Sequence, residues 1–268
     1  MHASGMGSCD SSRLRVRPRL WASVAIVLLA TSASAQTAGV PRDVDGRPDF
    51  TGIWQSLSGA EFGLEPHPGS TDAPASLGVI DGDSIPYQSW ALEKRKQNLA
   101  SRESSDPQTK CFTLGTPRGI YYPEPFQIFQ RPRDLTLLFE FGHSVRTIHT
   151  NGSAHPEGPL DQWLGDSRAH WDGDTLVVDV TEFNDQVWLD RVGNFHSDAL
   201  HVVERWRLLD ANTIEYKAQL DDPKVFTQPW SITVLLYRRR EPGVQLIENY
   251  CYTHEYDEFY PYPKEATR

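Results

Sequence analysis

Residues 200–220 read LHVVERWRLLDANTIEYKAQL. Side chains of a β-strand alternate between its two faces, and here the alternation is clear. Leu200, Val202, Glu204, Trp206 and Leu208 fall on one face, while His201, Val203, Arg205 and Arg207 fall on the other. Asp210-Ala211-Asn212 is a turn, and Thr213–Leu220 alternates again. Two strands joined by so short a connection have to run antiparallel.

The same grammar extends outward from this hairpin. Phe126–Gln130 is short and apolar, and Leu135–Ile148 alternates up to a tight turn at Asn151-Gly152. Trp171-Asp172-Gly173-Asp174 turns into a strand at Thr175–Phe183. Trp230–Arg238 and Gln245–Thr253 flank a turn at Glu241-Pro242-Gly243. Phe50–Gln55 is a further short strand containing Gly52-Ile53-Trp54. Residues 58–86 hold Gly, Pro, Ser and Asp without periodicity and read as a long surface loop. Ser89 to Ser101 is rich in helix formers and predicts one peripheral helix over 89–101. The fold expected is therefore a single, mainly β, antiparallel domain over 36–268. A barrel is favoured over a sandwich.

The N-terminal 35 residues stand apart. Arg13, Arg15, Arg17 and Arg19 precede an apolar run from Leu20 to Ala30, followed by Ala33-Ser34-Ala35. That is the pattern of a cleavable secretory signal over 1–35, and the apolar run is short for a permanent anchor. Four of the 26 basic and one of the 36 acidic residues leave with it, so the mature chain carries a charge of −13. So negative a surface argues against nucleic acid or anionic lipid as partner and leaves a small molecule as the expected one. A periplasmic or secreted location follows, with no membrane anchor after cleavage. Of the three cysteines, Cys9 lies in the signal, leaving Cys111 and Cys251 to pair in an oxidising compartment.

Chemistry-bearing residues concentrate in two places. Uninterrupted alternation from Leu135 puts His143 in a row with Leu137, Phe139, Phe141 and Val145. Glu204 sits in an equally apolar row, where a carboxylate has to be paired, hydrogen-bonded or neutralised. Between these strands runs a stretch dense in His, Asp and Trp, which includes Trp163, Asp166, His170, Trp188, Asp190, Arg191, His196 and His201. Histidines beside carboxylates suit general acid–base work. His143, His170 and His196 are the candidate bases or acids, and Asp166, Asp190 and Glu204 the candidate partners. Arg146 and Arg191 are placed to hold an anionic group, with Trp163, Trp188 and His201 as further substrate contacts. No two histidines have ligand spacing, although three converging from separate strands would still leave a metal site open. No phosphate loop, Gly-x-Ser-x-Gly elbow or dinucleotide fingerprint is present, and no organic cofactor is expected.

A set of short motifs recurs in one order. It runs from Pro48-Asp49-Phe50-Thr51-Gly52-Ile53-Trp54 through Asp106-Pro107, Lys110-Cys111 and Gly115-Thr116-Pro117-Arg118 to Pro125-Phe126-Gln127-Ile128. It continues with Trp163-Leu164-Gly165-Asp166-Ser167, the Trp171–Asp179 stretch, Phe183-Asn184-Asp185, Trp188-Leu189-Asp190-Arg191, His196-Ser197-Asp198, Leu200-His201 and Glu204-Arg205. In this the chain resembles a large, sparsely characterised family of exported bacterial proteins, over nearly all of the mature length. The resemblance implies export and carries no established reaction. Gly52-Ile53-Trp54 is also similar to the Gly-x-Trp of the first strand in lipocalin-like (calycin) barrels, although the long loop after Gln55 departs from them.

The function expected is an exported enzyme acting on a small organic, in part aromatic, molecule by hydrolysis, elimination or isomerisation. A carrier with an apolar pocket is the alternative, and a structural envelope protein a third.

Overall fold

A computed structural model describes residues 39–71, 73–158, 160–249 and 251. The expected signal segment, residues 1–35, lies outside the described residues, as do residues 252–268. The described residues belong to one compact unit. It is a closed barrel of nine strands in chain order: β1 (Gly52–Ser56), β2 (Phe126–Arg131), β3 (Asp134–Phe139), β4 (Val145–His149), β5 (Asp166–Asp172), β6 (Thr175–Thr181), β7 (His201–Asp210), β8 (Thr213–Asp221) and β9 (Trp230–Arg238). β9 returns to pair antiparallel with β1, Gln55 opposite Tyr237.

Nine is an odd number, and a ring of sequential neighbours with an odd membership cannot alternate direction at every step. One junction has to be parallel, and it is β4 against β5. The expected antiparallel pairing holds at the other eight junctions and gives way at this one. The Asn151-Gly152 hairpin is corrected with it: strands that run the same way need a crossover, and residues 150–165 supply it.

The interior is filled by alternate residues. Leu176, Val178 and Val180 of β6 meet Val202, Trp206 and Leu208 of β7, then Ile214, Tyr216, Ala218 and Leu220 of β8 and Ile232, Val234 and Leu236 of β9. Each such side chain, once buried, contributes roughly 1.5–3 kcal/mol. Trp54 closes the ring under β1; its Nε1 donates to the Phe50 carbonyl at 2.7 Å. Arg238 lies 4.2 Å over its ring, and a Cβ at position 52 would stand 2.0 Å from the Arg238 Nη1, so only glycine fits there.

Leu135–Ile148 is two strands, not one. Gly142 and His143, which end the short connection after Phe139, both have positive φ, 65° and 49°. Histidine is one of the few side chains that tolerates this region. The turn also changes parity. Leu137 lies opposite Arg146 and Leu135 opposite Ile148, so even-numbered residues of β4 point inward where odd-numbered ones were expected. His143 is therefore exposed at the turn and Arg146 is buried, the reverse of the uninterrupted alternation.

Outside the barrel, α1 (Ser89–Ala100) matches the expected helix. Two single-turn helices, α2 (Arg102–Ser105) and α3 (Arg118–Tyr121), and 3-10 turns at Ala60–Phe62 and Pro107–Lys110 accompany it. The segment 58–86 is not a purely surface loop. It folds back so that Ala60, Glu61, Leu64, Val79 and Ile85 are buried, and Ile80 bridges to Ile232 of β9. Among the described residues after β9 no strand forms; Asn249 makes an isolated bridge with Phe141, and the end of the expected strand, residues 252 and 253, lies outside them. Cys111 and Cys251 form a disulfide with Cα atoms 5.3 Å apart, tying this last segment to the turn before α3. No helix among the described residues is long and apolar enough to cross a membrane.

Candidate functional site

The stretch from Trp188 to Phe195 is a small hairpin built around one carboxylate. Trp188 bridges antiparallel to Phe195, and Asp190 inside the turn accepts from the amides of Val192 and Asn194 at 3.1 Å each. Its other oxygen accepts from Asn194 Nδ2 and from the Leu64 amide at 2.9 Å. Asp190 is fully buried, and burial pushes its carboxyl above the ordinary range in spite of these donors. Its place in the structure is the frame of this hairpin.

Against the hairpin lies α1. Asn98 donates to the Gly193 carbonyl at 3.2 Å, and Trp90 meets Phe195 edge-on at 6.1 Å. Trp90, Lys94, Gln97, Asn98 and Ser101 recur at the spacing of one helical face. That face, with Ser105, Asp185, Trp188, Phe195, His196 and Ser197, lines an open cavity of about 610 Å³.

His196 is the chemical centre of this wall. It is buried, with Phe183 edge-on at 5.6 Å. Its Nδ1 lies 2.9 Å from the Ser197 carbonyl, an acceptor, so this nitrogen carries the proton and Nε2 the lone pair. Nε2 is buried without a hydrogen-bond partner among the described residues. Burial lowers the His196 pKa from its ordinary value, and the Ser197 carbonyl offsets only part of that, so the ring is neutral at neutral pH. Ser197 is in turn fixed by Asp222, which accepts from the Ser197 amide at 2.6 Å and its hydroxyl at 2.9 Å. Asp222 was missed in the sequence, where it sits in the β8–β9 connection with only its own turn as context.

Beside this cavity, and sharing Asp185 with it, is a second of about 540 Å³ lined by Asp161, Glu182, Asp198 and His201 among others. His201 Nε2 contacts Asp179 Oδ1 at 3.0 Å, and the same oxygen lies 3.3 Å from His155 Nε2. His155 Nδ1 contacts Asp166 at 2.6 Å, and Arg168 binds Asp166 through two nitrogens. Burial would raise the Asp166 carboxyl, but these hydrogen bonds prevail and hold it below the ordinary value. His155 and Asp179 escaped the sequence analysis because they meet only when β5, β6 and the crossover are assembled.

The remaining candidates are dispersed. Glu204 and Arg146 face each other inside the barrel, a two-point ion pair at 2.9 and 2.8 Å, with Tyr216 and Trp206 donating to the same carboxylate. Arg146 also donates to Ser167 Oγ at 3.0 Å. Both residues are within 2 % of complete burial, and neither lines the 610 Å³ cavity, so an anion held by Arg146 there is corrected to an internal carboxylate. His170 is exposed on β5, and His143 is exposed at its turn. Trp163 packs on Phe112, ring centroids 4.9 Å apart. Arg191 stacks over Phe62 at 5.5 Å, beside a cavity of about 40 Å³. Of the sequence candidates, His196 and Trp188 thus share one cavity, and His201 lines its neighbour.

A second buried charge cluster went unread in the sequence. Arg118 binds Glu61 through Nε at 2.9 Å and Nη2 at 2.7 Å, and Asp106 at 3.0 and 3.1 Å. One cation sits between two carboxylates, and burial pushes Glu61 up to about 7 despite Arg118. Among the described residues, no group of three or more His, Cys, Asp or Glu side chains is placed to hold a metal ion. No family model, curated protein or solved structure matches this chain.

Proposed function

We propose that this protein is an exported enzyme that takes a small organic, in part aromatic, molecule into the 610 Å³ cavity and removes a proton from it with His196. The observation that carries this reading is a neutral, buried imidazole with an unpartnered Nε2, on a residue that lines the cavity together with Trp90, Trp188 and Phe195; Nε2 is covered here, so a small rotation of the ring has to bring it to the substrate. An unpartnered buried nitrogen is costly to folding, and a base that has to meet a substrate proton is one reason to retain it. The aromatic rings suit a planar ligand. Lys94 and Asp185 in the same wall are available as counter-charge or proton donor. Elimination and isomerisation begin when such a base takes a proton from the substrate, and hydrolysis when it takes one from the attacking water. Export rests on the signal pattern of residues 1–35, on the Cys111–Cys251 pair and on the motif resemblance to exported bacterial proteins.

His196→Asn tests the proposal. Asparagine keeps a nitrogen to donate to the Ser197 carbonyl and removes Nε2. A panel of nitrophenyl esters and aryl ethers is incubated with both proteins, with tryptophan fluorescence reporting occupancy through Trp90 and Trp188. The expected outcome is turnover that falls by roughly 10²–10⁴-fold in the variant at unchanged melting temperature. The wild-type rate should also decline as pH drops through the lowered His196 value. Ligand that binds but is recovered unchanged sinks the enzyme and leaves a carrier.

A further inference from the structure

A separate cavity of about 210 Å³ opens where β1 runs into the 3-10 turn at Ala60–Phe62. Phe62, Leu57, Pro74, Tyr121 and Pro123 give it a mainly apolar wall, and Glu61 is the one ionisable carboxylate in that wall. A dry cavity of roughly 150 Å³ holds one benzene molecule, so this volume fits a six-membered ring with a small substituent.

Glu61 lines this wall with its carboxylate held by Arg118. Each Glu61 oxygen accepts one hydrogen bond from Arg118, Oε2 from Nε and Oε1 from Nη2, which leaves each oxygen a second lone pair. Arg118 is itself immobilised by Asp106, Gln108 and the Trp188 carbonyl, so the carboxylate is held in place before any ligand arrives. A ligand hydroxyl can use one of these remaining lone pairs, which a purely apolar ligand cannot. We infer that this cavity is a second ligand site, distinct from the His196 cavity, for a compact aromatic alcohol or phenol whose hydroxyl donates to Glu61.

The charged groups around Glu61 are Arg118 and Asp106, with Asp190 further off and the phenols of Tyr121 and Tyr122 nearby. Burial outweighs Arg118 and places Glu61 at about 7. A hydroxyl donor prefers the ionised form, so binding strengthens as pH rises. From pH 6 to pH 8 the ionised fraction of a group at about 7 climbs about tenfold, and affinity follows it.

Phenol and toluene are the probes, nearly equal in shape and differing in the donor. Both are titrated by amide NMR into the full exported chain at pH 6 and pH 8, where phenol remains neutral. Phenol should shift the amides of Leu57, Gly59 and Phe62, bind at least tenfold more tightly than toluene at pH 8, and lose about tenfold at pH 6. Glu61→Gln should remove the pH dependence and reduce the preference for phenol, because a neutral amide oxygen is a weaker acceptor than a carboxylate. If that variant does not fold, the wild-type comparison decides alone. An indifferent apolar hole prefers toluene, because burying an unsatisfied hydroxyl is unfavourable. Toluene binding equal to or tighter than phenol overturns the inference, as do pH-independent affinity or phenol shifts confined to Trp90 and His196.

Discussion

Replacing Glu204 by Gln is the most discriminating perturbation of the barrel. Its two oxygens receive four donors: Arg146 Nη1 at 2.9 Å and Tyr216 OH at 2.8 Å on Oε1, and Arg146 Nη2 at 2.8 Å and Trp206 Nε1 at 3.3 Å on Oε2. Gln keeps the shape but turns one oxygen into a donor. On the Oε2 side it would oppose two groups that can only donate; on the Oε1 side the Tyr216 hydroxyl can reverse and accept. The amide nitrogen therefore settles opposite Nη1, and the guanidinium is left buried with half its partner and none of its counter-charge. Breaking a buried pair in this way costs on the order of 3–5 kcal/mol. For a domain of this size that is a fall of about 6–20 °C in melting temperature. Urea denaturation followed by tryptophan fluorescence reads it directly. The double variant Arg146→Met/Glu204→Leu removes both charges and should recover much of the loss. It will not recover all of it, because Tyr216 and Trp206 then lack their acceptor. A Glu204→Gln protein within about 1 kcal/mol of wild type would refute the reasoning, as would a double variant no better than the sum of the singles.

Three further outcomes are expected. Reducing the Cys111–Cys251 bond, or replacing both residues by Ser, should cost about 5 kcal/mol in the chain-entropy model for a separation of 140 residues; unchanged denaturation midpoints with and without reductant would contradict it. Glu61 in the folded state titrates at about 7, above its ordinary 4.5. Its contribution is therefore present below the unfolded value and is lost as pH rises through the folded one. The stability difference between wild type and Glu61→Gln should move against wild type by on the order of 3 kcal/mol between pH 4.5 and pH 7.5, and a flat difference would rule this out. His196, lowered by burial, acts in the opposite sense and destabilises the fold as pH falls below the ordinary histidine value. Finally, N-terminal sequencing of exported protein should begin at Gln36, and recovery of an intact Leu20–Ala30 segment in membranes would contradict cleavage.

What was legible in the sequence was whatever local periodicity encodes. The hairpin of β7 and β8, the burial of Glu204, the limits of α1 and the cysteine pair all follow from alternation, composition or counting. What was not legible depends on partners distant in the chain. The Gly142-His143 turn was hidden because histidine does not read as a turn residue, and missing it inverted the facing of Arg146. Glu61, Asp106 and Arg118 come from three irregular segments, so no pattern in any one of them announces a buried cluster. His196 was singled out for its neighbours in sequence, but what distinguishes it is a cavity wall made largely by α1 and an orienting chain that ends at Asp222. The parallel β4–β5 junction follows from strand count, a property that no single strand carries.

That junction has a consequence for how the barrel keeps its strand edges covered. A closed barrel has no edge strand to recruit another chain, yet β4 and β5 are joined in register only at Ile148 opposite Ser167 and His149 opposite Arg168. Side chains fasten what the backbone barely holds: Arg146 of β4 binds Ser167 of β5 on the inside, and His155 from the crossover clasps Asp166 on the outside. If those fastenings were removed, the barrel would part along this line and present two raw edges, β4 and β5, to its neighbours. The buried arginine thus keeps two strand edges covered as well as holding the core together, and the expected first sign of its loss is aggregation at temperatures where most of the fold is still intact.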